Sequence, residues 1–227
     1  MRQVKCIDLG LKDYKETWDY QQEIQESLIR SATTGSDPGG RACLIFVEHP
    51  HVYTLGKSGK ENNLLINPAF LASIGATFYK TNRGGDITYH GPGQLVGYPI
   101  LDLNALGMGV KKYIELLEES IIRTLHHFGV QTARLAGATG VWIAAESDDP
   151  TRKICAIGVR VSRSITMHGF ALNVSTDLQY FRYINPCGFT DKSVTSLEQE
   201  AGQKIPMDQV KNVFLENFCE QFGVTIV

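Results

Sequence analysis

Apolar residues recur along this chain at two spacings, and the spacings divide it into helices and strands. Residues 13–31 place Tyr14, Trp18, Gln21, Ile24 and Leu28 near one helical face. Residues 110–128 repeat the pattern with Val110, Tyr113, Ile114, Leu117, Ile121, Leu125 and Phe128, and Gly129 is the stop signal. His126 and His127 fall in that last turn, where a cation complements the helix dipole. A third helix, 208–222, turns Val210, Val213, Phe214 and Phe218 inward. Two shorter ones announce themselves by their caps: Asn67 followed by Pro68 opens 67–73, and Thr195 with Glu198 has capping-box spacing.

The strand signals lie between these helices. Residues 4–9 alternate weakly, 42–47 are a short buried run, and 76–80 lead into a glycine-rich stretch. Residues 94–103 read as a strand that Pro99 assigns to an edge or a bulge. Three further runs, 140–145, 152–161 and 165–174, are joined by the short polar connections 147–150 and 162–164, which predicts an antiparallel meander. Residues 224–227 form a last short strand, and 33–40 and 181–191 are loops. The pattern is α+β. Neither a repeat nor a dividing linker is seen.

Composition narrows the function classes. With 43% hydrophobic and 20% charged residues in 227, a core without staples is expected. The formal net charge of −2 gives no basic footprint for nucleic acid. No apolar run approaches the ~20 residues of a membrane span, and no signal peptide is read at the N-terminus. The five cysteines are widely spaced without a CxxC pair, which points to a reducing cytoplasm. His49-Pro50-His51 lacks a nearby third metal ligand. Gly56-Lys57-Ser58 fails as a P-loop because position 51 is His, and Gly91-Pro92-Gly93 fails as GxGxxG because position 96 is Val. No metal or cofactor is called for.

The stretch Arg83-Gly84-Gly85-Asp86-Ile87-Thr88-Tyr89-His90-Gly91-Pro92-Gly93-Gln94 is the densest in glycine. Glycine lets backbone approach a ligand closely, and an arginine, a histidine and a glutamine beside it can orient a polar group. Among the thiols, Cys6, Cys43 and Cys155 lie in strand patterns, where cysteine is usually a small buried hydrophobe, and Cys219 is near the buried face of the last helix. Cys187 alone sits in a loop, between Pro186 and Gly188. A free thiol has a pKa of about 8.5 and needs a cation or base to act at neutral pH. Lys153, at the start of an apolar strand, His90 and His168 are the candidates. Spacing leaves the choice open, and the commoner Cys–His pattern favours a histidine.

Several of these stretches together resemble the lipoate-protein ligase B family, octanoyl-[acyl-carrier-protein]:protein N-octanoyltransferases. They are RGGDITYHGPGQLVGYP, RKICAIGVRV, ITMHGFALNV and INPCGFTDKSVTSL, and the likeness covers roughly residues 40–200. The resemblance implies a single catalytic domain over residues 1–227, with a mostly antiparallel mixed sheet, flanking helices and the catalytic core of biotin protein ligases and lipoate ligases. It implies that octanoyl passes from acyl carrier protein to Cys187. From there it passes to a lysine of lipoyl domains in 2-oxoacid dehydrogenase E2 subunits or of the glycine-cleavage H protein. Lys153 becomes the partner of Cys187, against the preference for histidine. The acyl-binding residues fall on Arg83, Gly84, Gly85, Asp86, Ile87, Thr88, Tyr89 and His90, on Ala156, Ile157 and Gly158, and on Gly169, Phe170 and Ala171.

This chain departs from the family pattern at Phe189, where a smaller aliphatic residue is usual, and at 147–151, a longer turn. An ATP-dependent lipoate ligase on the same scaffold, a cysteine hydrolase and a noncatalytic carrier-binding module are the rival readings. The Pro-Cys-Gly loop favours transfer over ligation, and the pair Lys153 and Cys187 favours an enzyme over a binder. Arg160, Arg163, Arg182 and Lys192 are candidate contacts for an acidic carrier protein.

Overall fold

The computed structural model describes residues 2–34, 42–144, 151–185 and 193–227. In chain order the elements are β1 (Arg2–Leu11), α1 (Tyr14–Thr34), β2 (Cys43–Glu48), β3 (Val52–Leu55), α2 (Pro68–Ser73), β4 (Thr77–Lys80), β5 (Ile87–His90), β6 (Gln94–Ile100), α3 (Val110–His127), β7 (Ala133–Leu135), β8 (Ala138–Ile143), β9 (Arg152–Ser162), β10 (Ile165–Asn173), β11 (Ser193–Val194), α4 (Leu197–Ala201), α5 (Met207–Phe222) and β12 (Val224–Ile226). Single 3-10 turns lie at Glu61–Asn63 and Leu178–Tyr183.

Among the described residues the main sheet runs β12-β1-β2-β6-β10-β9-β8-β7, with β11 added beside β9. The pairs β1–β12, β1–β2 and β9–β11 are parallel and the others antiparallel. The sheet is therefore mixed and mostly antiparallel, as expected. The 140–174 meander forms as β8–β9–β10, and its β9–β10 turn puts Arg163 and Ser164 at φ 46° and 67°. That is the left-handed geometry of a two-residue hairpin.

Alternation sorts the side chains of the central strands to two cores. From β2, Leu44 and Phe46 join Leu117, Ile121 and Leu125 of α3 and Phe214 and Phe218 of α5 on one face. Cys43, Ile45 and Val47 join Leu28 of α1 and Tyr98 and Ile100 of β6 on the other. With helices on both faces, β10 is buried at every residue. A smaller sheet, β4-β3-β5, carries its own core of Tyr53, Leu55, Ile87, Tyr89 and Ile184. It presents the glycine-rich stretch to the main sheet.

Four details differ from the sequence expectation. Pro99 lies in β6, an interior strand rather than an edge. There the irregularity falls on β10: pairing with β6 ends at Phe170↔Gly97. Beyond it the Thr166 hydroxyl donates to Pro99 O at 2.7 Å and accepts from Leu101 N at 2.8 Å. The cap of α4 is Ser196, whose Oγ accepts from Gln199 N, while Thr195 Oγ1 donates to Glu200 at 2.6 Å. Val110 is 45% exposed, and the buried residues of α3 begin at Tyr113. Helix α1 extends to Thr34, into the stretch expected as a loop. The turn at 147–150, most of the loop at 33–40 and residues 186–191 lie outside the described residues.

Candidate active site

The hairpin β9–β10, the stretch between β4 and β5, and the start of β6 enclose a cavity of about 690 Å³. Arg83, Gly85, Asp86, Ile87, Thr88 and His90 line it from one side. Ala156, Ile157 and Gly158 of β9 line it together with Gly169, Phe170 and Ala171 of β10. Lys153, at the start of β9, opens onto the same space. Gly84 and Tyr89 are not among its lining residues. Gly84 N donates to Val159 O at 2.9 Å behind the wall. Tyr89 is fully buried in the small sheet's core, where its hydroxyl shares a hydrogen bond with His51 Nδ1 at 2.7 Å. Cys187 and Lys192 lie outside the described residues. The residues that bracket Cys187 in sequence, Asn185 and Ser193, both line the cavity.

Close backbone approach shapes the wall. A Cβ on Gly158 would stand 2.9 Å from Gly84 O, and Gly85 has φ 83°. Glycine fits where two strands and a loop meet at this separation. Phe170 lays its ring over Gly97, where a Cβ would stand 2.1 Å from a ring carbon.

A hydrogen-bonded chain crosses the floor. Arg83 is buried, and its Nε and Nη2 donate to Thr54 Oγ1 at 3.3 and 2.9 Å. Thr54 Oγ1 is 3.4 Å from His90 Nε2, so its own proton is directed there. His90 Nδ1–H donates to Gln94 Oε1 at 2.8 Å. The Gln94 amide donates to Tyr89 O at 3.2 Å and to Asn173 Oδ1 at 2.9 Å, which fixes its orientation and with it the His90 tautomer. Asn173 Nδ2 donates to Thr195 O, and Thr195 N donates to Lys153 O at 3.0 Å. The glycine-rich stretch and the Lys153 backbone thus belong to one network.

Burial keeps the histidines neutral. His90 is held well below the usual imidazole range, chiefly by desolvation, with His49 and Arg83 adding repulsion. His168 is pushed down to about 3 by burial, then by Arg83 and Arg160. It sits at φ 58°, with its N–H on Gln21 Oε1 and its Nε2 2.7 Å from Asn82 Oδ1. His49 is pushed down to about 4 by burial; it donates from Nδ1 to Lys12 O and accepts from the Tyr98 hydroxyl at Nε2. Tyr14, stacked on His90 at 5.8 Å, is raised to about 12 by desolvation and stays protonated. Burial likewise raises all four described thiols, Cys6, Cys43, Cys155 and Cys219, so none is poised as a thiolate.

Sequence reasoning passed over Tyr14, Thr54, Tyr98, Trp142, Asn173 and Thr195. Tyr14, Tyr98, Trp142 and Asn173 line the cavity, while Thr54 and Thr195 act within the network. Tyr14 and Trp142 carried only the ordinary signal of apolar periodicity, and the network members are far apart in sequence. Of the candidate carrier contacts, Arg182 is exposed and lines the cavity, Arg163 is exposed on the hairpin turn, and Arg160 is half-buried.

Residues 13–219 match the family model described as the lipoyl protein ligase A/B catalytic domain. A relative from Christiangramia forsetii, named octanoyltransferase, is 54% identical over 226 residues, covering 97% of this chain and 96% of its own. Among solved structures, a bipartite lipoate protein ligase from Thermoplasma acidophilum superposes with a TM-score of 0.72 at 15% identity, over 100% of this chain and 86% of that one. Biotin protein ligase from Aquifex aeolicus gives 0.52 at 12% identity, over 98% and 70%. At those identities the structures speak for the fold.

Proposed function

The chain belongs to the lipoyl protein ligase A/B catalytic domain family, and we propose that it is an octanoyltransferase acting through a cysteine thioester. In this reading residues 1–227 form one catalytic domain working in the cytoplasm. Among the described residues no helix is long and apolar enough to cross a membrane. The donor is octanoyl-acyl carrier protein. The acceptors are lipoyl domains of 2-oxoacid dehydrogenase E2 subunits and the glycine-cleavage H protein.

The reading is carried by one observation: Lys153 opens onto the same cavity as Asn185 and Ser193, the residues that bracket Cys187 in sequence. The acyl chain would lie along Ile157, Gly158, Phe170 and Ala171, where burying seven carbons contributes about 5 kcal/mol. The Cys187 thiolate, stabilised by the Lys153 ammonium, attacks the thioester carbonyl. The S–C bond to the carrier's thiol breaks, that thiol takes a proton, and octanoyl remains on Cys187. The acceptor lysine's neutral amine then attacks the new thioester, an amide forms, and Cys187 leaves as thiolate. Lys153, left neutral once its proton has gone to the carrier's thiol, takes the proton that the amine gives up and so restores the thiolate–ammonium pair; thiol and lysine titrate together.

Intact mass after mixing with octanoyl-acyl carrier protein tests this. One octanoyl adduct is expected, labile to hydroxylamine, mapping to Cys187 and discharged by a lipoyl domain without ATP. An adduct on Cys155 or Cys219, or turnover with none, removes the covalent mechanism. A requirement for ATP replaces transfer by ligation.

A further inference from the structure

We propose that Trp142 is a positioning residue for Lys153, its ring face holding the ammonium and setting the lysine's proton affinity. The inference rests on the reading of Lys153 as the partner of Cys187 and extends it to the neighbouring strand.

Lys153 Nζ lies 4.4 Å from the centroid of the Trp142 ring. The face of an indole carries negative charge density and attracts a cation within about 6 Å, more strongly than tyrosine or phenylalanine does. Trp142 is 3% exposed, so little water screens the attraction. The ring is fixed independently of the lysine, because its Nε1–H donates to Ala138 O at 2.9 Å.

The backbone arranges this meeting. Val141 stands opposite Cys155, but Trp142 stands opposite Lys153. An unbroken antiparallel register would set Trp142 against Ile154, which is fully buried in the core. The shift of one residue brings the cation and the ring to facing positions, where side chains meet across a sheet. Gly140 permits the approach: its φ is 123°, and a Cβ there would stand 2.5 Å from Cys155 O and 3.7 Å from Lys153 Cε. The buried carboxylate of Glu118 accepts from Gly140 N at 3.0 Å and holds the bend in place.

The ring attracts the ammonium and not the neutral amine. It therefore favours the protonation state that stabilises a thiolate, and confines Nζ to the cavity wall.

The test uses the full chain labelled with ¹⁵N-lysine, following Lys153 Nζ by NMR titration and assigning it from K153R. Trp142 is replaced by Phe, by Leu, and by mono-, di- and trifluorotryptophan, which drain the ring face while keeping its shape. Proton affinity at Lys153 is expected to fall stepwise with each fluorine. It should fall by about tenfold in Trp142→Leu and by less in Trp142→Phe. Single-turnover octanoylation of Cys187 should slow in the same order with KM unchanged. A flat fluorine series, or a Leu variant that titrates like the parent, overturns the proposal. The fluorinated proteins decide it if Trp142→Leu does not fold. If K153A transfers octanoyl at the parental rate, the catalytic reading of Lys153 falls, while the titration still judges the contact with Trp142.

Discussion

Asn173 Nδ2 donates to the carbonyl oxygen of Thr195 at 2.9 Å, tying the end of β10 to the chain leaving β11. The next bond, Thr195 N to Lys153 O, brings β9 into the same unit. The return of the chain after residue 192 is thus set against Lys153 by the backbone bond from Thr195 and the two-residue pairing of β11 with β9, and against β10 by the Asn173 side chain.

Asn173→Ala should therefore be severe. It leaves the Gln94 amide and Thr195 O without this buried partner, at about 1–3 kcal/mol each. For a chain of this size the melting temperature should fall by roughly 5–15 °C, and octanoyl transfer should fall with it even at temperatures where the variant is folded. Calorimetry and a transfer assay at low temperature check both. A variant with parental melting and turnover would show that the network does not hold the site.

Gly158→Ala and Gly84→Ala separate the wall from what lies behind it. Gly158 lines the cavity, and an added methyl there would meet Arg83 Cδ of the lining at 3.3 Å and Gly84 O just behind it at 2.9 Å. At 84 the nearest atom is Val159 O at 3.3 Å. Overpacking of the first kind costs about 1–3 kcal/mol, and displacement of the wall should lower kcat/KM on the order of a hundredfold. Gly84→Ala should lose much less. Equal losses in the two variants would contradict the placement of the acyl slot between β9 and the glycine-rich stretch.

Acid stability follows from the neutral histidines. The folded-state values of His49 and His168 are depressed to about 4 and about 3, and that of His90 lies well below its ordinary value. The unfolded chain therefore binds more protons than the folded one below about pH 6.5. The stabilisation is fully present above that pH and is lost as pH falls toward about 4, at up to about 1.4 kcal/mol per pH unit for each group. Urea midpoints measured from pH 7 to pH 4 should drop steeply, and His49→Gln should flatten the slope by about one proton. A midpoint independent of pH over that range would mean that these rings are not buried neutral.

Much of the fold was legible because its cores are strictly periodic. The stripe Tyr113, Leu117, Ile121 and Leu125 is buried throughout, as its spacing required. The burial of Glu118 on the same helix was not legible, since it depends on Arg134 and Gly140 on other strands. Pro99 signalled an edge or a bulge, yet β6 is interior: where the pairing with β10 has ended, the Thr166 hydroxyl of β10 donates to Pro99 O and accepts from Leu101 N, a substitution that no local pattern announces. At the site, glycine marked close backbone approach, but the partner of Gly158, Gly84 O, is distant in sequence. Tyr89 could not be told from its neighbours, although alternation along β5 turns it to the small sheet's core and leaves Thr88 and His90 on the cavity. Lys153 against Trp142 depends on a register shift that has no marker in sequence.

Lys153→Arg separates charge from proton transfer. Arginine keeps the positive charge, stacks on an indole as well as lysine does, and is effectively never deprotonated in proteins. If Lys153 acts only as a fixed charge beside Cys187, the variant should keep much of its activity, less some loss from the larger planar head. If Lys153 also relays the acceptor's proton, the half-reactions part. Octanoyl should still reach Cys187, because thiolate formation needs mainly a cation. Transfer to the acceptor amine should stall, and acyl-enzyme should accumulate. Rapid-quench measurement of both steps on the Arg variant distinguishes the two cases. Accumulated octanoyl-enzyme with a stalled second step supports the relay. Equal slowing of both steps, or near-normal overall turnover, leaves Lys153 as a charge alone.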